Sequence, residues 1–462
     1  MNNEHLIVVD LGYGDAGKGT IVDWLCARST RERVQGPPVQ AVVRFNGGAQ
    51  AGHNVVTGDG RHHTFAQFGS GTLSAGTRTF LSRYMLVDPL ALVAEAEHLE
   101  QLGVADPLSL VAVDRDALLT TPYHRAANQA RELARGADRH GSCGMGIGET
   151  ARYALDYPDD APRAADMTAP CTLVRKLTLL RDRLAADLAK EFADMPGFPV
   201  ILGAVGFPGF PMAPDADEPE RLPSTEGVAD VYRAVAGRVT LAGDGYLKKL
   251  LSAGPVVFEG AQGVLLDEWH GFHPYTTWST TTFENAETLL RENGSEAARL
   301  GVTRAYQTRH GPGPFPTEDP ALDLMEPHNG DGRWQGPVRV GHLDAVALGY
   351  AAAVVGGMDA VALTHLDTAC RPASDLRICR AYELTDGIAT TMLPGPARDL
   401  PYQESLTAQL LQAHPCYEVA ERSTADEWAD AVAGILWAPV VIRSQGPAVA
   451  DKTWHPEAAV SR

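Results

Sequence analysis

The sequence of 462 residues is 44% hydrophobic, and it carries 39 Lys and Arg against 58 Asp and Glu, a formal net charge of −19. An acidic chain of this kind is a poor candidate for nonspecific nucleic-acid binding, which needs a basic surface. None of its six cysteines forms a C-x-x-C pair, so a zinc or redox motif is not expected. In the absence of a signal peptide or a long apolar span, we expect a cytoplasmic protein that contacts no membrane.

The predicted elements, taken in chain order, alternate between short apolar strands and helices. A buried strand is predicted at residues 5–10, a glycine loop follows it, and a helix begins within 21–27. Further strands are predicted at 39–45, 256–259 and 360–366, and helices at 345–355 and 424–436. This alternation predicts an α/β fold with a large, mostly parallel sheet flanked by helices, where ligands bind beyond the carboxyl ends of the strands. We expect one domain over residues 1–462, with loop insertions at about 207–222 and 325–340.

The first glycine loop, residues 12–20, has the sequence GYGDAGKGT. Backbone N–H groups and the positive end of a helix bind phosphate in such a loop, and Lys18 adds a positive charge. In a standard phosphate-binding loop the next residue is a Ser or Thr that ligates magnesium, but here it is Gly19. Asp15 could instead ligate the metal or act as a base on a substrate. The alternative is a tight turn with a surface aspartate.

Three more polar stretches follow predicted strands or lie close to them. They are RFNGGAQAGHN at residues 44–54, FEGAQGVLLD at 258–267 and YQTRHGPGPFPTE at 306–318. Glycines in the first stretch allow a ligand to approach the backbone, and His53 could donate a proton or stabilise developing charge. A lone histidine in a loop is more often structural or merely exposed, and each stretch alone could be an ordinary loop.

Together the four stretches resemble the adenylosuccinate synthetase family along nearly the whole chain. That family carries G-D-E-G-K-G, R-F-N-G-G-x-N-A-G-H-T, F-E-G-A-Q-G-x-x-L-D and T-R-V-G-x-G-P-F-P-T-E in this order. Shorter similarities occur at 121–124, 146–148, 341–346, 363–367 and 444–447. We therefore expect a phosphate-binding-loop GTP site on an adenylosuccinate-synthetase-like fold.

The resemblance implies a ligase that uses GTP and magnesium to phosphorylate the 6-oxygen of IMP, after which the amine of L-aspartate displaces phosphate. Asp15 would be the base, His53 the acid and Lys18 the cation that neutralises phosphoryl charge. Asp15 and the backbone carbonyl of Gly52 would hold Mg²⁺. Retention of Asp367, which in the family accepts from guanine, favours GTP over ATP. The implied GTP-binding residues are Gly14, Gly17, Lys18, Gly19, Thr20, Gly52, His53, Asn54, His365, Asp367, Ser444 and Gly446.

The acceptor and amine loops depart from the family. The implied substrate-binding residues are Asp15, Gln50, Cys143, Gln262, Thr277, Arg333 and Arg339. Of these, Gln50 replaces an asparagine and Cys143 replaces a threonine near the IMP phosphate, and the nearby Glu149 adds negative charge. Tyr157 takes the place of an arginine that the family lends to the neighbouring subunit, and Arg152 is the nearest substitute.

The loop that binds aspartate in the family has also lost its T-T-G-R sequence. Gly336 and Val338 stand where two arginines clamp the aspartate carboxylates, and Arg333 and Arg339 could compensate only if the loop refolds. These changes favour a specialised paralogue with another acceptor or amine. The alternatives are the ordinary adenylosuccinate synthetase, a GTP-dependent small-molecule kinase and an idle nucleotide-binding subunit. By resemblance we expect a homodimer that acts on small molecules.

Overall fold

The computed structural model describes residues 5–27, 36–136, 139, 141–207, 210, 222–322, 324, 334–372, 374–419 and 422–456. Its strands are β1 His5–Asp10, β2 Ala41–Arg44, β3 His53–Val56, β4 His62–Phe65, β5 Arg78–Leu81, β6 Leu86–Val87, β7 Val111–Asp114, β8 Leu118–Leu119, β9 Thr240–Ala242, β10 Val256–Glu259, β11 Ala297–Arg304, β12 Gln307–His310, β13 Val338–Gly341, β14 Leu343–Asp344, β15 Ala360–Thr364, β16 Ile378–Leu384, β17 Gly387–Ala389, β18 His414–Tyr417, β19 Val440–Ser444 and β20 Lys452–Trp454. Its α-helices are Lys18–Cys26, Thr72–Ala75, Pro89–Gln101, Pro122–Arg135, Ile147–Asp156, Pro170–Glu191, Phe198–Ala204, Thr225–Ala236, Tyr246–Ala253, Glu284–Glu292, Ala345–Val354, Leu366–Ala369, Leu400–Leu410 and Ala425–Leu436.

The central sheet has the strand order β20-β19-β15-β11-β1-β10-β2-β5-β7-β9. Its neighbouring strands are parallel except for the antiparallel pair β19–β20 at one edge. β1 lies between β10 and β11, so the loops that follow these three strands leave the same edge of the sheet side by side. The predicted α/β fold with a large, mostly parallel sheet is confirmed.

Both faces of the sheet are covered, which explains why β1 is a continuous apolar run rather than an alternating one. Ile7 and Val9 belong to the main core on one face. Leu6 and Val8 pack on the other face with Ile21 and other apolar residues of the first helix. Because successive side chains of a strand point to opposite faces, all four are buried.

The element predictions differ from the structure mainly at their ends. The strands at residues 5–10 and 256–259 have the predicted bounds, whereas the first helix begins earlier, at Lys18. The predicted strand 360–366 ends at Thr364, because Leu366 already begins a short helix. Of the predicted loop insertion at about 325–340, residues from Val338 onward belong to β13 and pair with β12, and residues 325–333 lie outside the described residues. Most of the insertion at about 207–222 lies outside the described residues. In the described part of the chain, no helix is long and apolar enough to cross a membrane.

Candidate active site

The predicted motifs meet at one edge of the sheet. The loop after β1 carries the phosphate-binding sequence, and the loops after β2, β10 and β15 carry three of the other predicted glycine-rich or polar stretches. The backbone contacts are close: a Cβ atom at Gly263, in the loop after β10, would lie 2.2 Å from the carbonyl oxygen of Gly12 and 2.5 Å from the amide nitrogen of Gly14. The two loops can pack this tightly only because residue 263 is glycine.

The phosphate-binding loop adopts a succession of left-handed backbone conformations. Gly14, Asp15 and Gly17 have φ angles of 93°, 57° and 88°, and Gly17 is the N-cap of the helix Lys18–Cys26. Such turns gather backbone N–H groups into an anion-binding concavity at the helix N-terminus. A left-handed aspartate is uncommon, and strained residues of this kind concentrate at functional sites.

A buried ion pair holds this loop in place. Lys18 Nζ lies 2.9 Å from Asp10 Oδ2 and also donates to the backbone oxygen of Gln262 at 2.7 Å. Asp10 accepts from the backbone amides of Gly12 and Ala16, each at 2.8 Å. Lys18 is only 3% exposed and Asp10 only 1%. Asp10 was not among the predicted site residues, although an acidic residue at the end of an apolar strand is a visible signal in the sequence.

Gly19 has a steric role that explains the absent hydroxyl. A Cβ atom at this residue would lie 2.7 Å from His53 Cβ and 3.1 Å from the His53 carbonyl carbon. The first helix and β3 therefore touch at residue 19, and the contact sets the distance of His53 from the loop. A Ser or Thr at this position would push His53 away.

His53 is oriented by a buried carboxylate. Its Nδ1 lies 2.6 Å from Glu259 Oε1, and the backbone amide of Ser70 donates to Glu259 Oε2 at 3.0 Å. Burial opposes ionisation of Glu259, but Arg44 and the hydrogen bond from His53 hold its pKa at about 2. Burial also lowers the pKa of His53, against the opposing effect of Glu259. An ionised Glu259 requires a proton on Nδ1, so Nε2 is the nitrogen directed away from the carboxylate.

Asp15 is paired with a histidine from a distant part of the chain. Its Oδ2 lies 2.6 Å from His310 Nε2, and both side chains are about a quarter exposed. Burial opposes ionisation, but His310, Lys18 and Arg304 together hold the pKa of Asp15 below its usual value. His310 occupies the valine position of the family sequence T-R-V-G, and it was not among the predicted site residues.

The predicted nucleobase residues of β15 adjoin the phosphate-binding loop. Thr364 Oγ1 donates to the carbonyl oxygen of Ala16 at 2.8 Å, and His365 follows with a left-handed φ of 58°. Burial holds the pKa of His365 well below its usual value, so it does not supply the charge of the family lysine that it replaces. Asp367 is exposed at the start of the next short helix.

Residues 444–448, which include the predicted nucleobase residues Ser444 and Gly446, are organised by Lys452. This buried lysine donates to three carbonyl oxygens, including that of Gly446 at 3.3 Å and that of Pro447 at 3.1 Å. Ser444 Oγ donates to the Gly446 carbonyl oxygen at 3.0 Å, and Thr20 Oγ1 donates to that of Pro447 at 2.6 Å. Thr20 therefore ties the phosphate-binding loop to this segment.

Two glutamines flank the glycines after β2. A Cβ atom at Gly47 would lie 3.1 Å from Gln262 Oε1 and 3.6 Å from Gln50 Nε2. Gln262 Oε1 and both amide atoms of Gln50 are buried without a hydrogen-bond partner. Buried polar groups are normally satisfied, so these amide atoms mark the space over the Gly47 backbone as a candidate ligand site.

The segment 141–149 lies beside the loops that carry the other altered residues. Trp334 lies against Gly144, where a Cβ atom would approach its ring to 2.8 Å. Burial raises the pKa of Cys143 to about 11, so its thiol is neutral. Glu149 is buried and forms ion pairs with Arg131 at 2.8 Å and with Arg152 at 3.0 Å. Because Arg152 is already paired with Glu149, a phosphate would have to compete with this carboxylate for the guanidinium group.

Several predicted substrate and nucleotide residues make other contacts. Arg339 donates to Glu318 Oε1 at 2.9 Å and to the carbonyl oxygens of residues 311 and 313. Its donors are thus used to hold the 311–318 loop. The Asn54 side chain accepts from neighbours within the β3–β4 hairpin, and Thr277 donates its backbone amide to residue 266 at 2.8 Å. Arg333 lies outside the described residues.

The described residues contain no group of three or more His, Cys, Asp and Glu side chains able to hold a metal ion. Mg²⁺ is commonly held by one or two carboxylates together with substrate phosphates, and it keeps several waters. The partly exposed Asp15 carboxylate and the exposed backbone of Gly52 fit such a site.

These features define a nucleotide-dependent phosphoryl-transfer enzyme. They are the parallel α/β sheet, the glycine loop at a helix N-terminus, the buried Lys18 and the Asp15 carboxylate. The model of the adenylosuccinate synthetase family matches residues 7–447. Adenylosuccinate synthetase of Acidithiobacillus ferrooxidans is 33% identical over 468 residues, covering 99% of this chain and 96% of the relative. That of Myxococcus xanthus is 31% identical over 93% and 89%. The chain therefore belongs to the adenylosuccinate synthetase family, and it is a GTP-dependent ligase that forms C–N bonds.

Solved structures share the fold. The fully ligated adenylosuccinate synthetase of Plasmodium falciparum has a TM-score of 0.74 at 21% identity, covering 98% of this chain and all of its own. The succinoaminodeoxyadenylate synthetase of cyanophage S-2L has a TM-score of 0.55 at 16% identity, over 99% and 97%. The names of the sequence relatives favour ordinary adenylosuccinate synthesis over the specialised acceptor that the altered loops favoured.

Proposed function

We propose that this protein catalyses the ordinary family reaction, in which GTP activates the 6-oxygen of IMP and L-aspartate displaces the phosphate. The observation that carries this proposal is the assembly of Asp15, Lys18 and His53 around one glycine loop, each held by a partner of its own. Nucleotide-binding alone does not require a base and an oriented histidine beside the phosphate site. The amides of Gln50 and Gln262 supply the acceptor side.

In the proposed first step, the ionised Asp15 removes the N1 proton of the acceptor lactam, and the resulting oxyanion attacks the γ-phosphorus of GTP. The bond from the γ-phosphorus to the bridging oxygen breaks, and GDP leaves. Lys18 and the backbone amides of the loop stabilise the charge of the transferring group, while His53 Nε2 faces it. Bound Mg²⁺, held by Asp15, the Gly52 carbonyl and phosphate oxygens, would neutralise further charge.

In the second step, the amine of L-aspartate attacks C6 of the activated acceptor and forms the C–N bond. The bond between C6 and the former 6-oxygen then breaks, inorganic phosphate leaves with that oxygen, and the nitrogen loses a proton to the phosphate or to solvent. The phosphorylation is useful because phosphate is a far better leaving group than hydroxide. Asp367, His365, Ser444 and Gly446 form the proposed nucleobase site for GTP, which we prefer to ATP because Asp367 can accept from guanine. We further propose that the enzyme works as a homodimer, which sedimentation or light scattering would test.

A second candidate function, with another acceptor or amine, is favoured by the charges around the altered loops. Arg152 is paired with the buried Glu149, and Arg339 with Glu318. A dicarboxylate or a phosphate would have to compete with these carboxylates for cations. The cyanophage relative, which shares the fold, is bound to dGMP and dATP, so this fold accepts another pair of nucleotides.

The test supplies GTP and Mg²⁺ with IMP and L-aspartate, singly and together, and follows phosphate release and product mass. We expect release only when both co-substrates are present, with a product that joins IMP and aspartate. Product from another purine nucleotide or amine, and none from IMP and aspartate, would support the second candidate. A stable phosphorylated acceptor formed without amine would support a kinase. The Asp15→Asn variant is the matched control, since it removes the base at nearly constant volume.

A further inference from the structure

The altered loops contain a reciprocal change across a β-ladder. His310 of β12 and Val338 of β13 are direct partners in an antiparallel pair. In the family sequence the first position is a valine and the second is one of the two arginines of the aspartate loop. In this protein the valine stands on β13, at residue 338, and a basic residue, His310, stands on β12. The two residue types have therefore changed places between the paired strands. Directly opposed residues project from the same face with Cβ atoms about 4.5–5.5 Å apart, so a change at one position is felt at the other.

The hairpin holds His310 rigidly. The preceding residue, Arg309, donates to the carbonyl oxygens of Pro312 and Pro314 and stacks over the Tyr13 ring at 4.4 Å. The following residue donates its backbone amide to the Pro337 carbonyl oxygen at 3.1 Å. With both flanking residues fixed, the imidazole has a defined direction, and its Nε2 lies 2.6 Å from Asp15 Oδ2.

We propose that His310 is a positioning residue for Asp15, and that Val338 is the accompanying change that accommodates it. By donating from Nε2 to Oδ2, His310 fixes the orientation of the Asp15 carboxylate relative to the phosphate-binding loop. The contact also joins the base to the hairpin that carries the altered amine loop. An arginine at residue 338 would place a cation beside His310, where it would compete with His310 for Asp15. This inference rests on the proposed function in one respect only, the role of Asp15 as base.

Two variants of His310 distinguish the effect of its hydrogen bond to Asp15 from the effect of its side-chain volume. His310→Val restores the family residue and removes the donor, while His310→Gln keeps an amide donor near the place of Nε2. Loss of a hydrogen bond to a charged group at a catalytic residue corresponds to about a 10–100-fold effect. We expect His310→Val to lower kcat by that factor with the KM for GTP changed less than about 3-fold, and His310→Gln to recover most of the loss. The matched control is His414→Val, an exposed strand histidine outside the site.

Substitutions at residue 338 test the reciprocal change. Val338→Arg should lower kcat in the protein that retains His310, and should lower it less in the His310→Val background, because contacting residues are coupled. Equal effects in the two backgrounds would overturn the pairing of these residues. Wild-type kcat in His310→Val, with an unchanged KM, would overturn the positioning role.

A spectroscopic measurement gives an answer that does not depend on turnover. An imidazole N–H hydrogen-bonded to a carboxylate at this distance should give a downfield proton resonance, absent in His310→Gln. We expect this resonance to move upfield in Asp15→Asn. Its persistence unchanged would overturn the contact, even if His310→Val fails to fold. Failure of the wild type to turn over any acceptor and amine would instead sink the proposed function and leave the contact standing.

Discussion

A serine at residue 19, which is the residue of a standard phosphate-binding loop, should lower the activity of this enzyme. In Gly19→Ser, the new Cβ would lie 2.7 Å from His53 Cβ, about 1 Å inside the usual carbon–carbon contact distance. Gly19 does not have a positive φ, so the backbone conformation tolerates a side chain and the conflict is steric, mainly with His53 and also with the Asn54 carbonyl oxygen at 3.2 Å. Overpacking of this kind costs about 1–3 kcal/mol, and a displacement of a catalytic group by about 1 Å can lower the rate about 100-fold.

The assay for Gly19→Ser is kcat for phosphate release with both co-substrates present, together with the melting temperature. We expect kcat to fall by about 100-fold and the protein to remain folded. The matched control is Gly434→Ser, a helical glycine whose Cβ would meet nothing within 4 Å. It should keep wild-type kcat and gain up to about 0.5 kcal/mol of helix stability. Unchanged kcat in Gly19→Ser would refute the steric account of the missing hydroxyl.

Three further substitutions address other parts of the site. Asp10→Asn leaves Lys18 buried without its counter-charge, so urea denaturation should show a loss of about 3–5 kcal/mol in unfolding free energy, and a loss below about 1 kcal/mol would contradict the ion pair. The folded-state pKa of Glu259 is depressed to about 2, so the stability that it contributes is present above its unfolded pKa of about 4.5 and is lost as the pH falls toward 2. Across that window the melting temperature of the wild type should fall more steeply than that of Glu259→Gln, and parallel curves would show that Arg44 and His53 do not depress the pKa of Glu259 in the folded state. Asp367→Ala should reduce the GTP-over-ATP ratio of kcat/KM about 10–100-fold, whereas an unchanged ratio would remove Asp367 from guanine recognition.

The strands and the phosphate-binding loop were predictable because their signals are local. An uninterrupted apolar run such as that of β1 indicates a strand buried on both faces of the sheet. The glycines at residues 14 and 17 indicate a left-handed backbone conformation. The helix start was misplaced because Lys18 and Gly19 are polar or small, and their burial comes from tertiary contacts that no hydrophobic period records.

The partners of the site residues were not predictable from local pattern. His310 is 295 residues from Asp15, and Glu259 is 206 residues from His53. These contacts exist only because β10 and β11 flank β1, an order that the sequence does not state. Arg339 was predicted to bind substrate from its place in a loop, but whether its donors remain available depends on the neighbouring Glu318.

The central claim is that GTP activates the acceptor oxygen before the amine displaces it. The most direct test uses IMP labelled with ¹⁸O at the 6-position, together with GTP, Mg²⁺ and L-aspartate, and measures the label in the released phosphate by mass spectrometry. The account predicts one ¹⁸O atom in each phosphate and a product that joins IMP to aspartate without the label. Unlabelled phosphate, or release that needs no amine, would contradict it.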